Sequence, residues 1–232
     1  MIGQGSTDPA FLAYLEVRDA VQQLKASSAA SGVARPSDYW LEELEQIDYL
    51  AEASPLIIRK LRHHAFYITG IRPYDYREKG DGRRQRFEAR LQALQALDDA
   101  AVLVPESPAL GGFGYEIEGR LLNVDTLKFY EVLIGMQRGG VLDALRPIDR
   151  PLVCEIGAGW GGFAYQFKTL FPRSTYVIVD FPELFLISAT YLKSQFPSAT
   201  VQFLGQGGDP TGDGWGRQIR PPEWWSWAVR AR

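Results

Sequence analysis

The run Leu152-Val153-Cys154-Glu155-Ile156-Gly157-Ala158-Gly159-Trp160-Gly161-Gly162 constrains this chain more than any other stretch. A short apolar segment ends in an acid, a glycine-rich turn follows, and a helical pattern begins behind it. That order describes a strand feeding a ligand-cradling loop and the N-terminus of a helix. Gly157 and Gly159 allow backbone angles and a close ligand approach that a Cβ would block. Gly161 or Gly162 lets the new helix pack closely on the strand. Asp180 closes a second strand, Thr175-Tyr176-Val177-Ile178-Val179-Asp180.

Two ligand classes use such a turn. Gly157, Gly159 and Gly162 satisfy the G-x-G-x-x-G spacing of a dinucleotide site. Glu155 discriminates between them, because a carboxylate at the mouth of a pyrophosphate cradle repels the dianion. S-adenosylmethionine carries an ammonium and a sulfonium, and an acid there favours it. An NAD-dependent oxidoreductase is thereby disfavoured. Asp180 stands where an acid accepts hydrogen bonds from ribose hydroxyls, a role common to both ligands. The plainer alternative is a tight turn with Glu155 capping the next helix.

The 232 residues allow one large domain or two small ones, and 46% apolar content is enough for a sizeable core. A net charge of −3 gives no basic surface for a nucleic-acid partner. The cluster Arg83-Arg84-Gln85-Arg86, with Arg77 and Lys79 nearby, is offset by Glu78, Asp81 and Glu88 and reads as a solvated loop and helix start. Cys154 is the only cysteine, which leaves no internal disulfide and no cysteine-based zinc site. Inside a strand, its default is a buried, inert thiol. No secretory h-region and no membrane-spanning apolar run is visible, so a cytoplasmic setting without membrane contact is the simplest expectation.

Patterning divides the chain into a flexible and helical segment 1–35, a mainly helical region 36–147, a strand–helix unit 148–205 and an irregular tail 206–232. A modest helix carries Phe11, Leu15, Val21 and Leu24, and Ser27 to Gly32 reads as a flexible connection. Ser37 or Asp38 opens a helix with Trp40, Leu44, Ile47 and Ala51 on its core face. Pro55 starts another, which contains His63 and His64; adjacent on a helix, these point about 100° apart and do not chelate one metal together. A helix with Phe87, Leu91, Leu94 and Leu97 follows. Residues 111–123 suggest a hairpin turning at Glu118-Gly119, or a flap around Phe113. Asp125 is placed to cap the next helix, and Asn123, Asp125 and Tyr130 are placed to line the ligand pocket. Beyond the glycine turn, helix, strand, helix and strand (Thr200 to Leu204) alternate, which predicts a right-handed, parallel, doubly wound sheet. Gly205 to Gly214 reads as a loop, and the stretch with Trp224, Trp225 and Trp227 has no clear period.

Residues 37–204 resemble the sugar O-methyltransferase family, a branch of the Rossmann-like, S-adenosylmethionine-dependent methyltransferases. The matching pieces are Ser37-Asp38-Tyr39-Trp40, Thr69-Gly70-Ile71-Arg72-Pro73-Tyr74-Asp75-Tyr76, Asn123 to Tyr130, Glu155 to Gly162, and Asp180-Phe181-Pro182-Glu183. The resemblance implies that Glu155, Gly157, Ala158, Gly159 and Gly161 hold the methionine end of the cofactor. It implies that Asp180 binds the ribose, that Phe181 packs by the adenine, and that a sugar or glycan hydroxyl is the acceptor.

Members of this class carry about seven strands, with the fourth beside the first. Only three strands are expected here, an incomplete Rossmann-like doubly wound parallel sheet preceded by a mainly helical N-terminal region. The chain thus resembles a C-terminally shortened member, leaving 152–156 as an apolar sheet edge. Pairing through that edge is its route to a homo-oligomer, and a non-catalytic cofactor-binding or assembly module is the alternative to an enzyme. His63, His64, Asp125 and Glu116 are the candidates for a base, with none preferred.

Overall fold

The computed structural model describes residues 7–31, 36–77, 82–203 and 228–231. Helix α1 (Pro9–Ser31) continues through the serines expected to form a flexible connection, so helical propensity, carried partly by Ala29 and Ala30, prevails there. Its buried Tyr14 donates to Leu50 O at 2.8 Å and accepts from Ala53 N at 2.9 Å. Those bonds pin a 3-10 turn, Asp48–Glu52, beneath α2 (Asp38–Glu45). The Trp40-to-Ala51 pattern is therefore broken into two elements. The helix expected after Pro55 also bends, into α3 (Pro55–Ile58), α4 (Leu61–His64) and α5 (Phe66–Thr69), with Lys60 outside helical angles. Gly70 ends α5 in the left-handed conformation, φ +70°.

Helix α6 (Arg83–Gln95) buries Phe87, Leu91 and Leu94. The hairpin follows as β1 (Tyr115–Ile117) and β2 (Arg120–Leu122), turning at Glu118 and Gly119 with φ +51° and +71°. Two consecutive positive angles give the two-residue turn whose twist suits antiparallel strands. The flap reading fails, because Phe113 is buried and a Cβ on Gly112 would lie 1.8 Å from Ser107 O. Helix α7 (Val124–Arg138) is capped by Asn123 rather than Asp125: Asn123 Oδ1 accepts from Thr126 N at 2.9 Å. Helix α8 (Val141–Leu145) leads to β3 (Leu152–Ile156), α9 (Gly162–Leu170), β4 (Thr175–Val179), α10 (Pro182–Gln195), β5 (Val201–Phe203) and β6 (Ala228–Ala231).

The chain is α/β with a helical N-terminal region. Its larger sheet has the order β3-β4-β6-β5. Strands β3 and β4 pair in parallel, from Leu152↔Thr175 to Ile156↔Val179. β6 lies between β4 and β5, antiparallel to both. Two expectations are corrected here: β5 does not pair with β4, and the tail is not wholly irregular, since its backbone fills that gap. The rest of the tail, with Trp224, Trp225 and Trp227, and the loop around Gly207 lie outside the described residues.

Both crossover helices lie on one face of the sheet. Phe167 of α9 meets Tyr176 at 5.6 Å and Phe185 of α10 meets Phe203 at 5.9 Å. Register and alternation place Tyr176, Ile178 and Phe203 together. The opposite face of β3 carries Leu152, Cys154 and Ile156, all exposed. The described residues therefore wind helices on one face, where a doubly wound sheet has both covered. At the edge of the described sheet, β3 leaves Cys154 exposed rather than buried, whereas Val177 beside it on β4 is buried. Among the described residues no helix is long and apolar enough to cross a membrane.

Candidate functional site

At the carboxyl end of β3 the chain passes through Gly157, Gly159 and Gly161 with φ of +77°, +57° and +84°. Three left-handed residues in five positions reverse the backbone at a low steric cost only because none carries a Cβ. Gly157 N donates to Val179 O at 2.9 Å, which ties the turn to β4. Asp180 completes the tie: Oδ2 accepts from Gly159 N and Oδ1 from Phe181 N, each at 2.9 Å. Gly161 and Gly162 do not serve the helix–strand contact expected of them. Gly161 abuts Ser188 of α10, and Gly162 lies against the rings of Trp160 and Phe129.

A cavity of about 500 Å³ opens above these strand ends. Its floor is Ile156, Gly157, Gly159, Val179, Asp180 and Phe181, and its far wall comes from the N-terminal region. Helix α2 contributes Tyr39, Trp40 and Glu43, and α5 contributes Tyr67 and Ile68. Trp40 meets Phe181 at 5.4 Å and Tyr39 at 5.3 Å between ring centroids. Sequence periodicity placed Trp40 in the core; it is instead 43% exposed and faces the cavity. Both charged residues in the lining, Glu43 and Asp180, are acids. Among the described residues, carboxylates and aromatic rings without a cation form an environment suited to a cationic or electron-poor ligand.

The expected cofactor residues divide into two groups. Gly157, Gly159, Asp180 and Phe181 line the cavity, whereas Glu155, Ala158 and Gly161 do not. Strand alternation explains Glu155: Ile156 points toward the cavity, so its neighbour turns to the helix-covered face. There the Glu155 carboxylate accepts from the Tyr176 hydroxyl at 3.0 Å. Burial pushes its pKa up to about 7, against the Tyr176 hydrogen bond and with help from the Asp180 charge. Burial likewise raises Asp180 to about 6, although the turn amides oppose the shift. Asp180 is 9% exposed, and with the Gly159, Phe181 and Ala158 amides around it the carboxylate keeps one of about four acceptor positions for a ligand hydroxyl.

The pocket roles expected of Asn123, Asp125 and Tyr130 are corrected. Asn123 is the α7 cap, Tyr130 donates to Asp98 at 2.7 Å, and Asp125 belongs to a buried ion cluster. Arg62, which sequence reasoning passed over, is fully buried and bonds Glu106 at 2.8 Å and Asp125 at 2.7 Å. Its guanidinium lies 3.7 Å from the Trp160 ring centroid, and the Trp160 indole donates to Asp125 at 3.1 Å. The glycine turn is thus clamped from behind through its own tryptophan. No residue spacing announced this; the signal was only an arginine between apolar Leu61 and Ala65.

The candidate bases are also apart from the cavity. His63 sits edge-on to Phe113, His64 Nδ1 lies 2.5 Å from the Tyr49 hydroxyl, and Glu116 is exposed on the hairpin. Among the described residues no group of three His, Cys, Asp or Glu side chains could hold a metal. No protein-family model matches the chain, and no curated protein or solved structure matches it either.

Proposed function

We propose that the chain is a Rossmann-like methyltransferase domain that binds S-adenosylmethionine beneath α2 and methylates a sugar or glycan hydroxyl. One observation carries the cofactor half: a cavity at the carboxyl ends of parallel strands, lined by Asp180 and Glu43 with four aromatic rings and, among the described residues, no lysine or arginine. Ligands of open α/β sheets bind outside such strand ends. A dinucleotide pyrophosphate finds no counter-charge there, while a sulfonium and an ammonium find two. Asp180 is set to accept from a ribose hydroxyl, and Trp40 and Phe181 offer flat faces for the adenine. Gly157 leaves its side of the cavity open, with no atom within 4 Å of where a Cβ would be.

Bound there, the cofactor supplies an electrophilic methyl. The chain's own contribution is to hold it among the rings, keep water from its charged centre and align the acceptor. The sugar acceptor rests on the family resemblance alone. A second reading, cofactor binding without turnover, is favoured by one observation: neither His63, His64, Asp125 nor Glu116 lines the cavity. Calorimetry with S-adenosylmethionine, S-adenosylhomocysteine and NAD tests the cofactor, and methyl transfer from labelled cofactor to a glycan mixture tests turnover. Binding of NAD alone refutes the proposal; binding of S-adenosylmethionine without transfer selects the second reading.

A further inference from the structure

Beyond Gly70, which ends α5, the chain forms a second cavity of about 370 Å³, within the usual range for small-ligand sites. Its charged lining is mostly basic, three arginines against the single acid Asp75 among the described residues. Arg83, Arg86 and Arg90 stand along one side of α6 at spacings of three and four residues, so they share a helix face. Tyr76, Phe87 and Tyr115 form a floor beneath them. Tyr115 meets Tyr76 at 5.0 Å and Phe87 at 5.1 Å between centroids, and the Tyr76 hydroxyl is fixed by accepting from Val124 N at 2.8 Å. Phe87 and Tyr115 are almost wholly buried, while the three arginines reach solvent.

An ordinary basic helix face extends its arginines into water, whereas here they rim a preformed aromatic hollow. Asp75 reaches Arg83 at 3.4 Å and Glu131 reaches Arg90 at 2.7 Å, both as exposed pairs. Such pairs contribute little, about 1 kcal/mol or less, and are readily exchanged for a better-seated anion. Arg86 has no ion pair among the described residues. The guanidinium fork matches a carboxylate or phosphate through two parallel hydrogen bonds.

We infer that this groove binds a small organic anion, a carboxylate or phosphate carried on a flat ring that rests on Tyr76. The site is separate from the cavity at the glycine turn and stands whether or not that cavity holds S-adenosylmethionine. Calorimetry on the full chain with phenyl phosphate, benzoate, inorganic phosphate and benzyl alcohol tests it.

Phenyl phosphate or benzoate should saturate, and phenyl phosphate should bind several-fold more tightly than inorganic phosphate. Benzyl alcohol should not bind, and added salt should weaken the anions. Arg86→Ala should lower the affinity about tenfold, the effect of losing one charged hydrogen-bonding partner. Arg90→Ala, with the same expectation, is the second probe should Arg86→Ala melt abnormally. The inference is overturned if neither ring-bearing anion binds, if both variants bind unchanged, or if benzyl alcohol binds as well as the anions. Equal affinity for inorganic and phenyl phosphate removes the aromatic floor from the site and overturns it too.

Discussion

Two pairs of acids flank the glycine turn, and they have opposite fates. Glu106 and Asp125 lie behind it, each within 2.8 Å of a fully buried arginine. Glu155 and Asp180 lie in front and at the strand ends, where a tyrosine hydroxyl and backbone amides are their partners. Burial raises Glu106, Glu155 and Asp180 alike, but among the described residues only Glu106 has a cation against it. The first pair spends its charge inside the fold. Among the described residues the second has no cation beside it, and its Asp180 lines a cavity. Acidity near a glycine turn is thus not informative by itself; the presence or absence of a built-in cation decides whether it serves architecture or a ligand.

The largest break of this comparison is Arg62→Met. It leaves two buried carboxylates unpaired, which costs about 3–5 kcal/mol, a large part of a typical domain's stability. Urea denaturation should show that loss, with substantial recovery when Glu106→Gln and Asp125→Asn are added. A near-neutral single variant would show that the cluster does not hold the turn.

Glu155→Gln probes the pair that lacks a cation. With its folded pKa raised to about 7, Glu155 binds more protons in the native than in the unfolded state between the ordinary glutamate value and neutrality. Its contribution is therefore favourable at low pH and is lost as pH rises through that window, by roughly 1–3 kcal/mol. Thermal melts from pH 4.5 to 8 should show the native chain losing stability relative to Glu155→Gln. Parallel curves would mean that Glu155 titrates normally.

Asp180→Asn carries a smaller effect, on binding. The proposed cofactor's affinity should fall about tenfold, a loss of one charge-assisted contact. In the native chain that affinity should rise as pH climbs through about 6 and Asp180 ionises. The variant should lack the rise. An unchanged affinity at pH 8 would separate Asp180 from the ligand and leave it a brace for Gly159.

The glycine turn, both parallel strands and the Glu118-Gly119 hairpin were legible because each is written in local sequence: period, turn residues, a proline at the start of α10. The helical region was harder. Its breaks at Gln46 and Lys60 come from tertiary demands, such as the Tyr14 bonds to Leu50 and Ala53, which no window of residues records. Asp180 was readable from its place after a strand. Glu155 does not line the cavity, because alternation sends neighbouring strand residues to opposite faces and Ile156 takes the cavity side. Arg62 and the far wall of the cavity depend on contacts across long stretches of chain, to which periodicity is blind.

Trp40→Ala gives the smallest effect and the sharpest distinction. The ring is 43% exposed and touches Phe181 and Tyr39 at the cavity mouth, so its removal should cost only about 1 kcal/mol of stability. Affinity for S-adenosylmethionine should fall a few-fold, in keeping with an aromatic contact of about 0.5–1.5 kcal/mol. S-adenosylhomocysteine has the same adenosine but an uncharged sulfur, which makes it the control. Equal losses for both ligands place Trp40 on the adenine, whereas a loss confined to S-adenosylmethionine places it over the sulfonium. If neither affinity changes, α2 is not a wall of the site, and the ligand must be held by the strand ends alone.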